Sequence, residues 1–474
     1  MNVKEILNRI YALSPVFLQD LAVSLYGLIL YYQRYGFTYQ KYLKIYSQRK
    51  SLSIDNEIKL QNEYFLKLLN HAITLSPFYK DFYKDVDLSQ IRSVEDIYHL
   101  PILTKEILKS NIDKVFTISA KEGLKFFTGG TTGKPMMVLK RKEDVQSRMA
   151  YLDAYKLKFG FVNNKMRSAR FFGKNIIPKQ TTNHVFWRNN YISKQRFYST
   201  YYLTPENLRY YVEDLNKYKP QAIDGFVSAI YEIAKYIIDY NVTLTFTPKA
   251  IFTTAETVLP FHRETIEKAF SCPLSDQYAS NEGAPFITQC PFGSYHENID
   301  TGVFEHIATP NGVKLVVTSF DTFGTPLIRY DIGDYIIERK QNKCKCGSTH
   351  PCIGFIEGRS SDFLFSKHKG KISAANISVL VSELPNSVEG IQFEQINIHT
   401  IVIRVVINEK FITKNLEKLL LEKMISYFGS DIEYRIEAVS KIKRSESGKF
   451  RLIINHVGDF NGSEAANQRY STYI

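Results

Sequence analysis

Residues 126–135 read Phe-Phe-Thr-Gly-Gly-Thr-Thr-Gly-Lys-Pro, and the apolar run Met136-Met137-Val138-Leu139 follows. Gly129, Gly130 and Gly133 let the backbone take positive φ and approach a ligand closely. Thr128, Thr131 and Thr132 offer hydroxyls, and Lys134 adds a charge. Such a concave set of donors suits a polyphosphate. The plainer reading of the same residues is a Gly/Thr hairpin turn. This is not a Walker A loop, which has glycine five residues before its Gly-Lys pair and Ser or Thr after it; those positions hold Thr128 and Pro135.

The elements that must position this loop are legible in outline. The 474 residues are 44 % apolar, enough for two or more domains with a substantial core. Phe126 and the run after Pro135 predict strand, loop, strand. Helical periodicity covers 56–82, broken at Pro77, and capped helix starts are predicted at Ser93 and Thr104. Further on, helix is predicted over 142–159, strand over 222–225, helix over 228–241, strand over 250–254 and helix over 260–270. Strand–helix alternation implies a largely parallel sheet with helical cover. From 363 the pattern changes to a small α+β unit: a hairpin at 367–371, a short helix over 377–384, paired strands over 391–398 and 401–407, a helix over 411–427 and a strand over 432–439. The expectation is an α/β protein with a large N-terminal domain and a small C-terminal lid. Its parts are 1–85 (helical), 86–358 (core), 359–362 (hinge) and 363–474 (lid).

The net charge is +13, from 61 Lys and Arg against 48 Asp and Glu, and both signs interleave through the chain. Nucleic acid is not required; an anionic nucleotide, an anionic acceptor or a phospholipid surface would each suit. The start of the chain lacks the pattern of a secretory signal, and five cysteines are an odd number, so a reducing, cytoplasmic setting is expected. The most apolar stretch, 16–32, contains Gln19, Asp20 and Ser24. It reads as a buried or half-buried helix, or as one resting on a membrane surface, at the inner face, and not as a spanning segment.

The loop resembles the phosphate-binding loop of the adenylate-forming superfamily (acyl-CoA synthetases and adenylation domains), roughly T-[SG]-G-[TS]-T-G-x-P. Four more of its signatures follow in order. Residues 251–256 end a predicted strand, and the resemblance puts Ala255 and Glu256 beside adenine. Asp276-Gln-Tyr-Ala-Ser-Asn-Glu-Gly283 resembles Y-G-x-[TS]-E: Tyr278 would stack on adenine, Ala279, Ser280 and Asn281 would line the site, and Glu282 would hold Mg2+. Ala279 and Asn281 depart from the usual residues. Pro326-Leu-Ile-Arg-Tyr-Asp-Ile-Gly-Asp334 is similar to P-L-I-R-Y-x-T-G-D of the phenylacetate–CoA ligase branch and its capsule-biosynthesis relatives. Asp334 would accept both ribose hydroxyls. Gly358-Arg-Ser-Ser-Asp362 matches G-R-x-x-D, giving Arg359 to ribose or phosphate and Asp362 to the hinge. Residues 442–451 resemble P-x-[TS]-x-[ST]-G-K-x-R, with Lys443 replacing the proline and Lys449 as the catalytic lysine.

The resemblance implies an enzyme: an ATP- and Mg2+-dependent ligase that adenylates a carboxylic acid and passes the acyl group on. Coenzyme A is the leading acceptor; an amine or hydroxyl of a cell-surface glycan precursor is the alternative. A silent nucleotide-binding protein is the rival from another class. The small domain would swing about Asp362 between half-reactions. Members of this branch carry Cys and His where this chain has Cys290, His296, Cys344, Cys346 and Cys352. Cys290, Cys344 and Cys346 with His296 or Cys352 could make a tetrahedral zinc site; the alternative is free thiols in the core. Cys272 reads as core.

Overall fold

The computed structural model describes residues 3–48, 53–128, 136–173, 176–178, 184–309, 312–339, 344–359, 363–366, 370–372, 377, 380–381, 383–385, 387–407, 416–443 and 450–457. Two compact units divide the chain: Met1–Val258 with His262–Ile356 form the first, and Leu259–Phe261 with the described residues from Glu357 onward form the second.

The first unit begins with helices α1 (Val3–Leu13), α2 (Val16–Arg34), α3 (Phe37–Gln48) and α4 (Ile54–Leu75). Ser76 ends α4 and caps α5 (Pro77–Phe82), whose proline sits in the first turn, where a missing N–H costs nothing. Thr104 caps α6 (Lys105–Ser110), and α7 (Ile112–Val115) follows. Strands β1 (Leu124–Phe127) and β2 (Met137–Lys140) pair antiparallel, with Phe127 opposite Met137.

A second sheet, twelve-stranded among the described residues, spans the unit. Its members are β3 (Ser168–Phe172), β4 (Trp187–Asn190), β5 (Gln195–Ser199), β6 (Ala222–Gly225), β7 (Ala250–Thr254), β8 (Leu274–Tyr278), β9 (Ile287–Gln289), β10 (Tyr295–Glu297), β11 (Gly302–Thr309), β12 (Gly312–Ser319), β13 (Tyr330–Glu338) and β14 (Cys352–Arg359). The order is β11-β12-β13-β14-β10-β9-β8-β7-β6-β3-β5-β4. The parallel character expected from strand–helix alternation is found in β5-β3-β6-β7-β8. Beyond β8 and at β4 the strands join antiparallel, at β8–β9, β9–β10, β10–β14, β11–β12, β12–β13 and β4–β5. Helices α8 (Lys142–Leu157), α9 (Leu208–Tyr218), α10 (Val227–Asp239) and α11 (Pro260–Phe270) alternate with the parallel strands. Ile223, Ile251 and Phe252 are wholly buried, as are Ile230 and Ile233 of α10 and Leu215 of α9. Each such side chain contributes roughly 1.5–3 kcal/mol by leaving water.

Helix α8 has no single apolar face, because its polar residues are buried too. Asp153 accepts from Tyr39 Oη at 2.7 Å, Lys156 Nζ donates to Asp224 at 2.6 Å, and Arg148 Nη1 donates to Asp321 at 3.0 Å. It ties α3, β6 and the segment after β12 together. Burial pushes the Lys156 ammonium down, and Asp224 opposes the shift.

Helix α2 corrects one expectation. Its apolar stretch is not what it buries: Gln19, Asp20, Ser24 and Gly27 are the buried residues. They meet the edge strand β4, where Asp20 accepts from Asn189 N at 2.9 Å and Ser24 Oγ from Tyr191 N at 3.1 Å. A Cβ on Gly27 would lie 2.5 Å from Asn190 Oδ1, so a larger residue would have to push the Asn190 amide aside. These side chains satisfy amides at the sheet edge, each of which would cost about 1–3 kcal/mol if buried without a partner.

In the second unit β15 (Leu364–Ser366) pairs with β16 (Gly370–Ile372); the predicted turn between them lies outside the described residues. The main sheet is ordered β19-β18-β17-β20, from β17 (Val388–Asn397), β18 (Thr400–Ile407), β19 (Glu433–Ala438) and β20 (Ile453–Asn455). Helix α12 (Leu416–Phe428) buries Leu416, Leu420, Met424 and Phe428, a four-residue stripe, in the same core as Phe393 and Ile403.

Candidate active site

The carboxyl ends of β7 and β8 lie side by side, with Thr254 opposite Gln277. Ala255 follows β7 at φ 69°, in the left-handed region, a strained position for a residue with a Cβ. Glu256 turns back to the start of α10, where it accepts from Ser228 N at 2.9 Å and Ser228 Oγ at 3.1 Å. Its carboxylate therefore caps the helix. Tyr278, the last residue of β8, donates its hydroxyl to Asp334 Oδ2 on β13 at 2.6 Å. Two residues singled out from separate stretches of sequence are thus in direct contact. Gln277 Oε1, one residue earlier, is buried without a hydrogen-bond partner.

The turn after β8 is held from several sides. Ser280 Oγ accepts from Gly283 N and Ala284 N at 3.2 and 3.1 Å. Asn281 Nδ2 donates to Phe127 O at 3.3 Å, which joins this turn to β1. Gly283 has φ +123°, and a Cβ there would stand 2.5 Å from Thr322 Cγ2. Arg148 donates to the carbonyls of Gly283 and Ala284, both at 2.9 Å. Glu282, between these anchors, is 5 % exposed, and Lys105 Nζ lies 3.8 Å from its Oε1. Lys140 is also buried nearby; burial first, then the Arg148 charge, pushes its ammonium down to about 7. Thr128 closes the neck of the glycine-rich loop: its N donates to Met136 O at 2.9 Å and its Oγ1 accepts from Met136 N at 3.1 Å. Gly129, Gly130, Thr131, Thr132, Gly133 and Lys134 lie outside the described residues, as do Asp362 and Lys449. Arg359 is the last residue of β14.

Within the segment 326–334, Arg329 has φ 50° and donates to Glu305 at 2.9 Å and to Tyr98 O at 2.9 Å. Asp331 pairs with Lys314 at 2.7 Å and accepts from Gly333 N at 3.0 Å. These contacts set the strand so that Asp334 meets Tyr278. Sequence reasoning missed Lys105, Lys140, Arg148 and Asp321. Lys105 showed only as a helix start, and Lys140 and Arg148 carried no signal, since a lysine ending a strand and an arginine within a helix are ordinary surface residues.

The cysteines converge at β10 and β14. The ligand atoms of Cys290, His296, Cys344 and Cys346 lie within 4.8 Å of one another. Cys290 Sγ and Cys344 Sγ are 3.6 Å apart, and Cys346 Sγ is 3.3 Å from His296 Nε2. The edges of a tetrahedron with zinc–ligand bonds of about 2.0–2.3 Å are roughly 3.5–3.8 Å, so the set has suitable size and chemistry. His296 Nδ1 lies 3.1 Å from the His350 carbonyl, which leaves Nε2 facing the thiols. Cys352 Sγ is 3.5 Å from His296 Nδ1 and 3.9 Å from Nε2, so it too lies against the imidazole. Cys272 is buried in an apolar cluster, as expected of core.

Over 454 residues, 95 % of this chain and 100 % of the relative, the sequence is 38 % identical to Protein CapK of Staphylococcus aureus. The chain belongs to the CapK family. A CapK C-terminal domain matches residues 364–456, the bulk of the second unit. The CapK-family chain has the fold of the adenylate-forming CoA ligases. It is similar to 2-hydroxyisobutyryl-CoA ligase in the postadenylation state, in complex with R3-HIB-AMP, at a TM-score of 0.68 and 16 % identity over 86 % of this chain and 92 % of that one. The same ligase with 2-HIB-AMP and CoA in its thioesterification state is similar at a TM-score of 0.57 and 17 % identity, covering 86 % and 91 %. Those ligands belong to that protein.

Proposed function

We propose that this protein is an ATP-dependent ligase that adenylates a carboxylic acid and transfers the acyl group to coenzyme A. The observation that carries the reading is the 2.6 Å contact between Tyr278 and Asp334, with the buried Glu282 on the turn that follows Tyr278. Asp334 is fixed by the Tyr278 hydroxyl, and a carboxylate suits a ribose diol. Glu282 fits magnesium, which when bound supplies charge neutralisation at the phosphates. Lys105 adds positive charge beside Glu282, and Lys140 packs against the same turn. Thr128 to Lys134 would hold the phosphates, and Arg359 the ribose or phosphate.

The acid's carboxylate oxygen attacks the α-phosphorus, the α–β phosphoanhydride bond breaks, and pyrophosphate leaves. Lys449 offsets the charge that develops between the carboxylate and the α-phosphate. A thiolate then attacks the acyl carbon, and AMP leaves with the bonding electrons. The chain's contribution is placement and preorganised charge. Coenzyme A as acceptor is supported by the CoA-bound ligase of the same fold. Incubation with Mg·ATP, a panel of acids and coenzyme A, followed by chromatography, is expected to yield AMP and an acyl thioester in equal amounts. AMP release with an acyl-amine or acyl-hydroxyl product from a glycan precursor, and no thioester, would reassign the acceptor.

The Cys290–His296–Cys344–Cys346 set is proposed to hold a structural zinc ion that pins β10 to the segment before β14. Elemental analysis of protein purified without chelator is expected to give about one equivalent, and metal removal should lower the melting temperature. Less than about a tenth of an equivalent would leave the thiols as ordinary core.

A further inference from the structure

Helix α2 faces the opposite way from an ordinary surface helix. Its outward stripe is Leu18, Leu21, Leu25, Ile29 and Tyr32, 42–64 % exposed and spaced by three or four residues. Ile10 and Leu13 of α1 are exposed too, at 58 % and 79 %. The inward stripe is polar and fixed. Arg188, 1 % exposed, donates to Gln19, while Asp20 and Ser24 receive the edge amides of β4. Rotating the helix to bury its leucines would strand those groups, so the apolar face is locked outward. An apolar face of this extent marks an interaction site.

Charge selects what covers it. Residues 1–50 hold seven Lys and Arg against two acids. One acid, Asp20, is used up inside, and Arg9, Lys41 and Lys44 are exposed. Among the described side chains of α1–α3 no acidic residue is exposed. A second copy seated on this face would oppose like charges with nothing to match them. An anionic bilayer surface matches both features: acyl chains take the stripe, phosphates take the bases, and Tyr26 and Tyr32 suit the headgroup level. Among the described residues no helix is long and apolar enough to cross a membrane.

We infer that α1 and α2 dock this protein in the plane of an anionic phospholipid bilayer, with the Leu21–Leu25–Ile29 face immersed and the polar face still holding the sheet edge. The inference is independent of the ligase reading. It is tested by floating the full chain with vesicles of phosphatidylcholine containing about a third phosphatidylglycerol, and with phosphatidylcholine alone. Wild type is expected to float with the anionic vesicles and at least about tenfold less with the neutral ones. Leu21→Glu/Leu25→Glu/Ile29→Glu should lower partition at least about a hundredfold with an unchanged melting curve. Should that variant misfold, Leu25→Glu alone, at a side chain 57 % exposed, is read instead, with a loss of about tenfold. Folded wild type that stays down with anionic vesicles overturns the inference, as does a folded variant that floats like wild type. A wild-type dimer that the glutamates dissociate, with no flotation, overturns it in favour of a second copy.

Discussion

Lys449→Ala is expected to slow adenylate formation by two to three orders of magnitude while largely sparing transfer from a preformed adenylate. In the proposed reaction the ammonium group meets charge that exists only while the carboxylate approaches the α-phosphate. Removing a preorganised charge of this kind costs about a hundred- to a thousandfold in rate. ATP binds before that charge develops, so its affinity should hardly change. The experiment supplies synthetic acyl-AMP and coenzyme A to the variant and compares thioester formation with adenylation from ATP. Equal adenylation in variant and wild type would return Lys449 to the solvated surface. Equal losses in both half-reactions would contradict a role confined to the first.

Arg148→Met is expected to destabilise the protein by about 3–5 kcal/mol, the range for removing one partner of a buried ion pair. The guanidinium reaches Asp321 at 3.0 Å and two carbonyls of the turn that carries Glu282, and it stacks 4.4 Å over the Phe286 ring. Burial raises the Asp321 carboxyl, and the charges of Arg148 and Lys140 pull it back down. Without Arg148 the carboxylate loses its main compensation, and Gly283 O and Ala284 O lose a donor. Urea unfolding measures the loss, and a drop under about 1 kcal/mol would show that water or Lys140 replaces the guanidinium. Adding Asp321→Leu should recover a large part of it, because two apolar residues do not carry the desolvation cost.

The parallel centre of the fold was legible because β6 and β7 are short runs each followed within a few residues by a helix. The predicted strands 222–225 and 250–254 and the helix 260–270 coincide with β6, β7 and α11. The flanks were not legible. Strand β4, Trp-Arg-Asn-Asn, looks like a loop, since Arg188 and Asn189 donate to Gln19 and Asp20 of α2 and not to water. Periodicity also cannot give α2 its orientation: hydropathy alone would turn Leu21 and Leu25 inward, and only the unpaired edge of β4 explains why they face out. At the candidate site, motif spacing singled out Tyr278, Glu282 and Asp334, and the structure brings Tyr278 and Asp334 into contact. It gave Arg329 no role, and the structure uses that residue to anchor the strand. The lysines at 105 and 140 are brought to Glu282 and Gly283 by tertiary packing, for which no local pattern exists.

The proposed reaction turns on an acyl-adenylate, and ATP–pyrophosphate exchange reads that step directly, before any acceptor is needed. With Mg·ATP, labelled pyrophosphate and a panel of aliphatic, hydroxy, aromatic and amino acids, label is expected to enter ATP with at least one acid. That signal should vanish without magnesium and fall by about two orders of magnitude in Asp334→Ala. Exchange with no acid in the panel, together with no heat of ATP or AMP binding in the presence of magnesium, would mean that this chain does not adenylate.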